Sequence, residues 1–229
     1  MCGRFSQLSS IEIIRALLKA QGHPDLFERA ETTQKRYNVA PSQTVVAVRL
    51  EPTEKARLIV PLQWGLIPFW ADDPAIGNKM INARAESVAE KPAFRQAFRR
   101  RRCLIPADGF YEWKKEGRGK QPYYIRMRDE RLFTFAGLWE RWEKDDRAIE
   151  SCTILTTAPN ELTAQIHNRM PVILDENNFE MWLDPDFRDS EKLLSILKPY
   201  PHDQMEAYPV NNRVNNPKND DALCVERVG

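Results

Sequence analysis

The chain has no C-x-x-C pair, no long apolar run, and only nine glycines and three histidines in 229 residues. Each shortage closes off a class of protein. The four cysteines, Cys2, Cys103, Cys152 and Cys224, are scattered along the chain, which argues against a zinc site and a disulfide framework alike. A reduced chain without metal or cofactor is the expectation. No stretch approaches the roughly eighteen apolar residues of a membrane helix, and the first residues lack the basic and apolar regions of a secretory leader. A cytoplasmic protein follows, nucleoid-associated if bacterial. Neither sign of charge dominates: 34 Lys and Arg against 33 Asp and Glu leave a net charge of +1. The totals therefore carry no sign of a polyanionic partner.

What is there describes an ordinary globular protein, 42% apolar and 29% charged. Ser9-x-x-Glu12 forms a capping-box pattern ahead of Ile13, Ile14, Leu17 and Leu18, with Gly22 beyond, and predicts a helix over about 10–20. A polar stretch through Glu31 and Lys35 precedes the extended segment 36–41. Strand-like runs occupy 44–50 and 57–67, and residues 68–74 form a loop carrying Phe69 and Trp70. Ser87 and Glu90 make a second capping pattern before a basic helix that ends in Arg99-Arg100-Arg101-Arg102. That run is either a solvated face or a phosphate-tracking surface. Further strands are expected at 103–106, 110–114, 122–128, 132–139, 151–157, 171–174 and 205–210, with a hairpin at 117–120. Short helices are expected at 159–167, 176–183 and 190–198, followed by a polar, turn-rich tail. With no repeat or linker, residues 1–229 read as a single α+β domain with a mostly antiparallel, barrel-like sheet core and peripheral helices.

Four stretches carry chemistry. Met1 precedes a small residue and can be removed, leaving Cys2 with a free α-amine and a thiol, whose reference pKa values of about 8 and 8.5 keep each partly nucleophilic near neutrality. Such a pair can close a five-membered thiazolidine on an aldehyde, or attack an amide through sulfur. Asn82 and Arg84 lie two apart on an extended segment and share a face. An amide there can position an amine or a sugar oxygen, and the guanidinium suits phosphate. Glu112 stands among Phe110, Tyr111 and Trp113, an apolar setting that raises a carboxylate pKa toward acid–base use. His167 falls at the expected C-terminal end of a helix, where the helix dipole favours the imidazolium. Each has a bland reading as well: an inert cysteine, a salt bridge of Arg84 to Glu86, an exposed glutamate beside Lys114, a capping histidine.

Read together, Met1-Cys2-Gly3-Arg4-Phe5, Arg36-Tyr37-Asn38-Val39-Ala40-Pro41, Trp64-Gly65-Leu66-Ile67-Pro68, Ile81-Asn82-Ala83-Arg84-Ala85-Glu86, the run Arg102 to Trp113, Ile166-His167-Asn168-Arg169-Met170-Pro171-Val172 and Val214-Asn215-Asn216-Pro217-Lys218-Asn219-Asp220 resemble one family over nearly the whole chain. It is the SOS-response-associated peptidase (SRAP) family, whose members crosslink to abasic sites in DNA. The resemblance implies that Cys2, freed of Met1, forms the thiazolidine with the ring-opened deoxyribose. Asn82 would then hold the α-amine, Glu112 shuttle protons and His167 stabilise the sugar oxygen. It further implies that single-stranded DNA binds through Arg4, Arg84, Arg169 and Thr156 on phosphates, with Trp70 or Phe69 against a base. The same cysteine would serve in removal of the protein's own N-terminal residue. A monomer with no metal and no membrane partner completes the expectation.

Three rivals stand beside it. An N-terminal-cysteine glutamine amidohydrolase also begins Met-Cys-Gly, but needs His-Arg-Gly and Asn-Gly-Glu tripeptides that this chain lacks. A Cys/His/Asn protease would need a peptide groove and an oxyanion hole. A non-covalent sensor would bind abasic DNA without reacting.

Overall fold

Runs of β-branched and aromatic residues, broken by turn chemistry, make most of this chain strand. The computed structural model describes residues 2–22, 34–51 and 55–228, so Glu31, in the polar stretch ahead of segment 36–41, lies outside the described residues. In chain order the elements are β1 (Phe5–Gln7), α1 (Ile11–Leu18), β2 (Gln21–Gly22), β3 (Arg36–Val39), β4 (Thr44–Glu51), β5 (Ala56–Trp64), β6 (Asn82–Arg84), α2 (Arg95–Arg100), β7 (Arg102–Ala107), β8 (Gly109–Glu116), β9 (Gly119–Met127), β10 (Phe133–Lys144), β11 (Arg147–Thr157), α3 (Glu161–Ala164), β12 (Met170–Pro171), α4 (Phe179–Leu183), α5 (Ser190–Ser195) and β13 (Met205–Pro209). Strands β5, β4, β7, β10 and β11 pair in that sequence, and β11 returns to β5 in parallel through Ser151↔Gln63 and Cys152↔Trp64. The five strands thus close on themselves, which removes the open edges a flat sheet would leave. A second, antiparallel sheet runs β13-β9-β8-β1-β3.

The period-2 alternation of the strands sorts two cores. Val45, Ala47, Leu62, Trp64, Ile105, Phe135 and Ile154 of the barrel pack with Cys2, Phe5, Phe110 and Ile125 of the second sheet. Val48, Leu104, Ala136 and Leu138 point the other way and are covered by Ile14 and Leu18 of α1, Phe98 of α2, Trp182 of α4 and Leu193 of α5. The α+β expectation, barrel-like sheet with peripheral helices, is what the structure contains. No described helix is long and apolar enough to cross a membrane.

Local differences have physical reasons. Helix α1 is capped by Ser10, whose side chain accepts from Ile13 N–H, because Ser9 is bound to Asp108 instead (Oγ–Oδ1 2.5 Å). The helix ends at Lys19, whose φ of 47° is left-handed, rather than at Gly22, which pairs in β2. Ser87 closes a 3-10 turn, and α2 starts only at Arg95. Strands 132–139 and 151–157 extend further than expected, to one long hairpin. Its charged outer rungs, Glu140 to Glu150, show no apolar alternation, yet Asp145 and Asp146 both take positive φ (49° and 59°) in the two-residue turn between Lys144 and Arg147.

One glycine has a steric duty that bears on the site. A Cβ at Gly109 would stand 2.2 Å from the Tyr124 ring, whose hydroxyl is 2.7 Å from Ser6 Oγ of β1. Gly109→Ala should lower stability by about 1–3 kcal/mol, the usual range for overpacking, as read by urea unfolding. An unchanged midpoint would show that β1 and β8 do not depend on this close approach.

Candidate active site

The site is assembled around the first strand. β1 lies between β3 and β8, with Phe5 opposite both Val39 and Phe110, and Tyr111 N–H donates to the Arg4 carbonyl at 3.0 Å. That register carries residues 2–4 alongside Tyr111 to Trp113. Phe5 is locked edge-on against Trp64 and Phe135, with ring centroids 5.1 and 5.6 Å apart, and Cys2 is fully buried. The thiol donates to the Arg4 carbonyl at 3.8 Å; burial, and then the charge of Glu112, push its pKa well above that of an ordinary thiol. It is held in the protonated form. Cys103, Cys152 and Cys224 are also buried free thiols, raised in the same way by burial.

Asn82 arrives on β6, which pairs in parallel with β11 through Asn82↔Ile154. Trp64 sets its position from behind, its indole N–H donating to the Ile81 carbonyl at 2.9 Å. Asn82 Nδ2 donates to the Cys2 carbonyl at 2.8 Å, and its buried Oδ1 has no partner among the described residues. A buried acceptor left unpaired forfeits about 1–3 kcal/mol, so its place beside the Cys2 backbone asks for a donor.

Glu112 is contributed by β8 and is 2% exposed. Burial pushes its carboxyl above the usual range, and neighbouring His167 pulls the other way; His167 Nδ1 stands 4.0 Å from Glu112 Oε1. Helix α3 stops at Ala164, so His167 lies past a single turn rather than at the end of a longer helix. The dipole expectation is therefore corrected, because one turn aligns too few peptides. The backbone orients the ring instead: Nδ1 lies 3.1 Å from the Arg169 N–H and 3.3 Å from the Arg169 carbonyl, so the Arg169 peptide holds that edge of the imidazole in either tautomer.

The arginines divide. Arg84 is exposed on β6. Arg169 does what the sequence reading gave to Arg84, pairing with both Glu86 oxygens at 2.6 and 2.9 Å, and that contact holds the Glu86 carboxyl low. Its Nη2 also donates to the Thr156 carbonyl. Thr156 itself is fully buried with its hydroxyl on the Ala83 carbonyl at 3.4 Å, so it braces β6 and Arg169 from beneath rather than facing a phosphate. Arg4 is half-buried and donates to Asn38 Oδ1, the Val214 carbonyl and the Asn215 carbonyl, which ties the N-terminal segment to the tail. Asn38 completes that tie through the carbonyls of Val214, Asn216 and Asn219. Sequence reasoning placed Asn38, Trp64 and Glu86 within motifs but gave the first two no role; only their long-range partners reveal one.

Phe69 and Trp70 are 48% and 50% exposed, at the tip of a loop that leaves the barrel at Leu66 and returns at Met80, two residues before Asn82. The loop is stiff where it bends, since Trp142 Nε1 donates to the Ala71 carbonyl at 2.7 Å. Two aromatic side chains are thus exposed on the loop whose far end leads into β6 and Asn82. Among the described residues no group of three or more His, Cys, Asp or Glu could hold a metal ion.

The sequence profile described as SOS response associated peptidase (SRAP) matches residues 1–217. The chain belongs to that family. Among its SRAP relatives, the abasic site processing protein YoqW of Bacillus subtilis is 45% identical over 228 residues, covering 99% of both chains. The abasic site processing protein YedK of Escherichia coli is 32% identical and covers the whole of both. The fold is shared with an X-ray crystal structure of a protein from Bacteroides thetaiotaomicron, 32% identical, with a TM-score of 0.88 over 99% of this chain. Cys2, Asn82, Glu112 and His167, drawn from four separate segments of this SRAP chain, meet in one place, with Cys2 and Glu112 buried and Asn82 and His167 partly exposed.

Proposed function

We propose that this protein processes abasic sites in single-stranded DNA by linking itself to them through Cys2, once Met1 has been removed. The names of its relatives support the abasic site as substrate. The observation that carries the chemistry is Asn82, bound to the Cys2 carbonyl through Nδ2 with a buried Oδ1 ready to accept from an α-amine on the same residue. The amine adds to the open-chain aldehyde, and the carbinolamine loses water to give an imine. The thiol then adds across C=N, its proton passing to nitrogen and its sulfur to carbon. One C–N and one C–S bond form, one water leaves, and no oxidant is needed. Glu112, with its raised pKa, can give a proton to the departing oxygen and take one from the buried thiol. His167, 4.0 Å from Glu112, would donate to the sugar oxygen released on ring opening. Arg84, exposed on β6 two residues from Asn82, and Arg169 would take backbone phosphates beside the lesion.

The test is a single-stranded oligonucleotide with one abasic site beside an undamaged control, resolved on a denaturing gel, with the protein's N-terminal mass recorded. A lesion-dependent band that survives boiling is expected. Its absence from protein proven to start at Cys2 would sink this reading and favour peptide hydrolysis by the same cysteine. For the aromatic loop, Trp70→Ala should weaken binding to the lesion strand by about 1–3 kcal/mol, the usual worth of one stacked base, measured by fluorescence anisotropy. Equal affinities would remove the loop from the DNA path.

A further inference from the structure

One charged surface is untouched by this chemistry. Between α2 and the segment leading into α5 lies a groove of about 630 Å³ lined by Gln96, Arg99, Arg100, Arg101, Arg188 and Ser190. Arg99 and Arg100 are exposed and make no ion pair among the described residues. The groove is braced from below. Arg102, buried, donates to the carbonyls of Phe98, Arg99, Trp182, Asp184 and Phe187, binding the last turn of α2 to the chain that follows α4. Arg101 is held by buried Glu140 at 2.6 Å. Asp186 lies 3.8 Å from Arg188, a loose contact, and Asp189 is engaged by Lys192. The result is a concave surface on a braced backbone, lined by guanidinium groups, whose forks match phosphate oxygens in pairs.

We propose that this groove is a second phosphate-binding surface, which holds DNA backbone beyond the lesion. The inference rests on the reading that the chain binds DNA. A membrane surface fits less well, because the exposed large apolar residues, Ile13, Phe69, Trp70 and Leu223, lie on neither α2 nor α5. Position matters too. Phe98 of α2 packs with Leu104 and Leu138 on the helix-covered face, whereas Cys2 packs with Cys103 and Ile105 on the opposite face. A sheet and a helix layer separate them, roughly 20 Å through the protein, so DNA that follows the surface must span more than about six base steps. DNA that stops close to the lesion cannot reach the groove; a longer arm can.

The experiment compares wild type with Arg99→Glu/Arg100→Glu and with the milder Arg99→Gln/Arg100→Gln. Affinity is measured for an undamaged strand of about 30 nucleotides over a salt series, where each lost phosphate contact shrinks the slope of log K against log salt by about 0.7. The charge-reversed protein should bind about tenfold more weakly near 0.1 M salt, with a slope smaller by about 1.4; the glutamine variant, which loses the same two contacts, should show the same change in slope with a smaller loss of affinity. Crosslinking to a lesion oligonucleotide of about 5 nucleotides, too short for the groove, should be unchanged, which also certifies the fold. Wild-type affinity and slope in both variants would overturn the groove, as would equal losses on the short substrate or a loss confined to anionic vesicles. If wild type binds the long strand with a steep salt slope yet never crosslinks, the Cys2 chemistry fails and the groove stands.

Discussion

Cys2→Ala should form no covalent product that survives boiling, while its affinity for abasic single strand stays at the wild-type level. The alanine variant keeps the α-amine once Met1 is removed, so it can still reach the imine. It lacks the sulfur that closes the ring, and an imine hydrolyses on denaturation. Borohydride reduction before denaturation should therefore recover a band from Cys2→Ala, and from Cys2→Ser as well. This pattern separates the three readings of the residue. A purely non-covalent sensor would give no band from wild type with or without reductant. A thiol peptidase would lose peptide hydrolysis in both variants. A boiling-stable band from Cys2→Ala without reductant would show that another group forms the linkage. Loss of the small buried sulfur creates only a minor cavity, so the comparison is made between folded proteins.

Glu112→Gln should slow crosslinking by about 10²–10⁴-fold, the usual contribution of a positioned proton donor and acceptor, with binding little changed. The isosteric amide leaves the packing intact and removes only the titration. In wild type the rate should show a limb whose midpoint lies above the ordinary glutamate value of about 4.3, because burial raises this carboxyl; the variant should lack that limb. A rate equal to wild type across the pH range would remove Glu112 from the proton path. Stability moves in the opposite sense. A carboxyl whose folded pKa is raised binds its proton more tightly when folded. Its contribution is fully present below the unfolded pKa and is lost as pH rises through the folded pKa. Above that window Glu112→Gln should melt higher than wild type, and at strongly acidic pH the two should coincide. A carboxylate kept buried for its chemistry lowers stability in this way, which is how a working residue differs from a structural one.

Much of the fold could be read along the chain because its causes are local. The β-branched runs at 44–50 and 151–157, the Gly117-Arg118 turn of the β8–β9 hairpin and the proline-bounded segment at 36–41 declare themselves within a few residues. The outer half of the β10–β11 hairpin could not be read so, since its residues are mostly charged and one apolar cross-strand pair, Trp142 with Ile149, is too little to show an alternation. Helix starts were displaced by competition: Asp108 takes Ser9, so Ser10 becomes the cap of α1.

The site divides along the same line. Cys2 and its potential pair of nucleophiles, Asn82 and Arg84 on one face, the apolar neighbours of Glu112 and the paired aromatics of the 68–74 loop are properties of neighbouring residues, and the sequence by itself determined them. Tertiary structure decided the partners. It set Asn82 on the Cys2 carbonyl across 80 residues, aimed His167 with the Arg169 amide instead of a helix dipole, gave Glu86 to Arg169, and buried Thr156. It also turned the run Arg99–Arg102 into two kinds of residue, a buried brace and an exposed groove. Residue type and short spacing follow from covalent order, whereas burial, hydrogen-bond partner and protonation depend on what the closed barrel brings against each side chain.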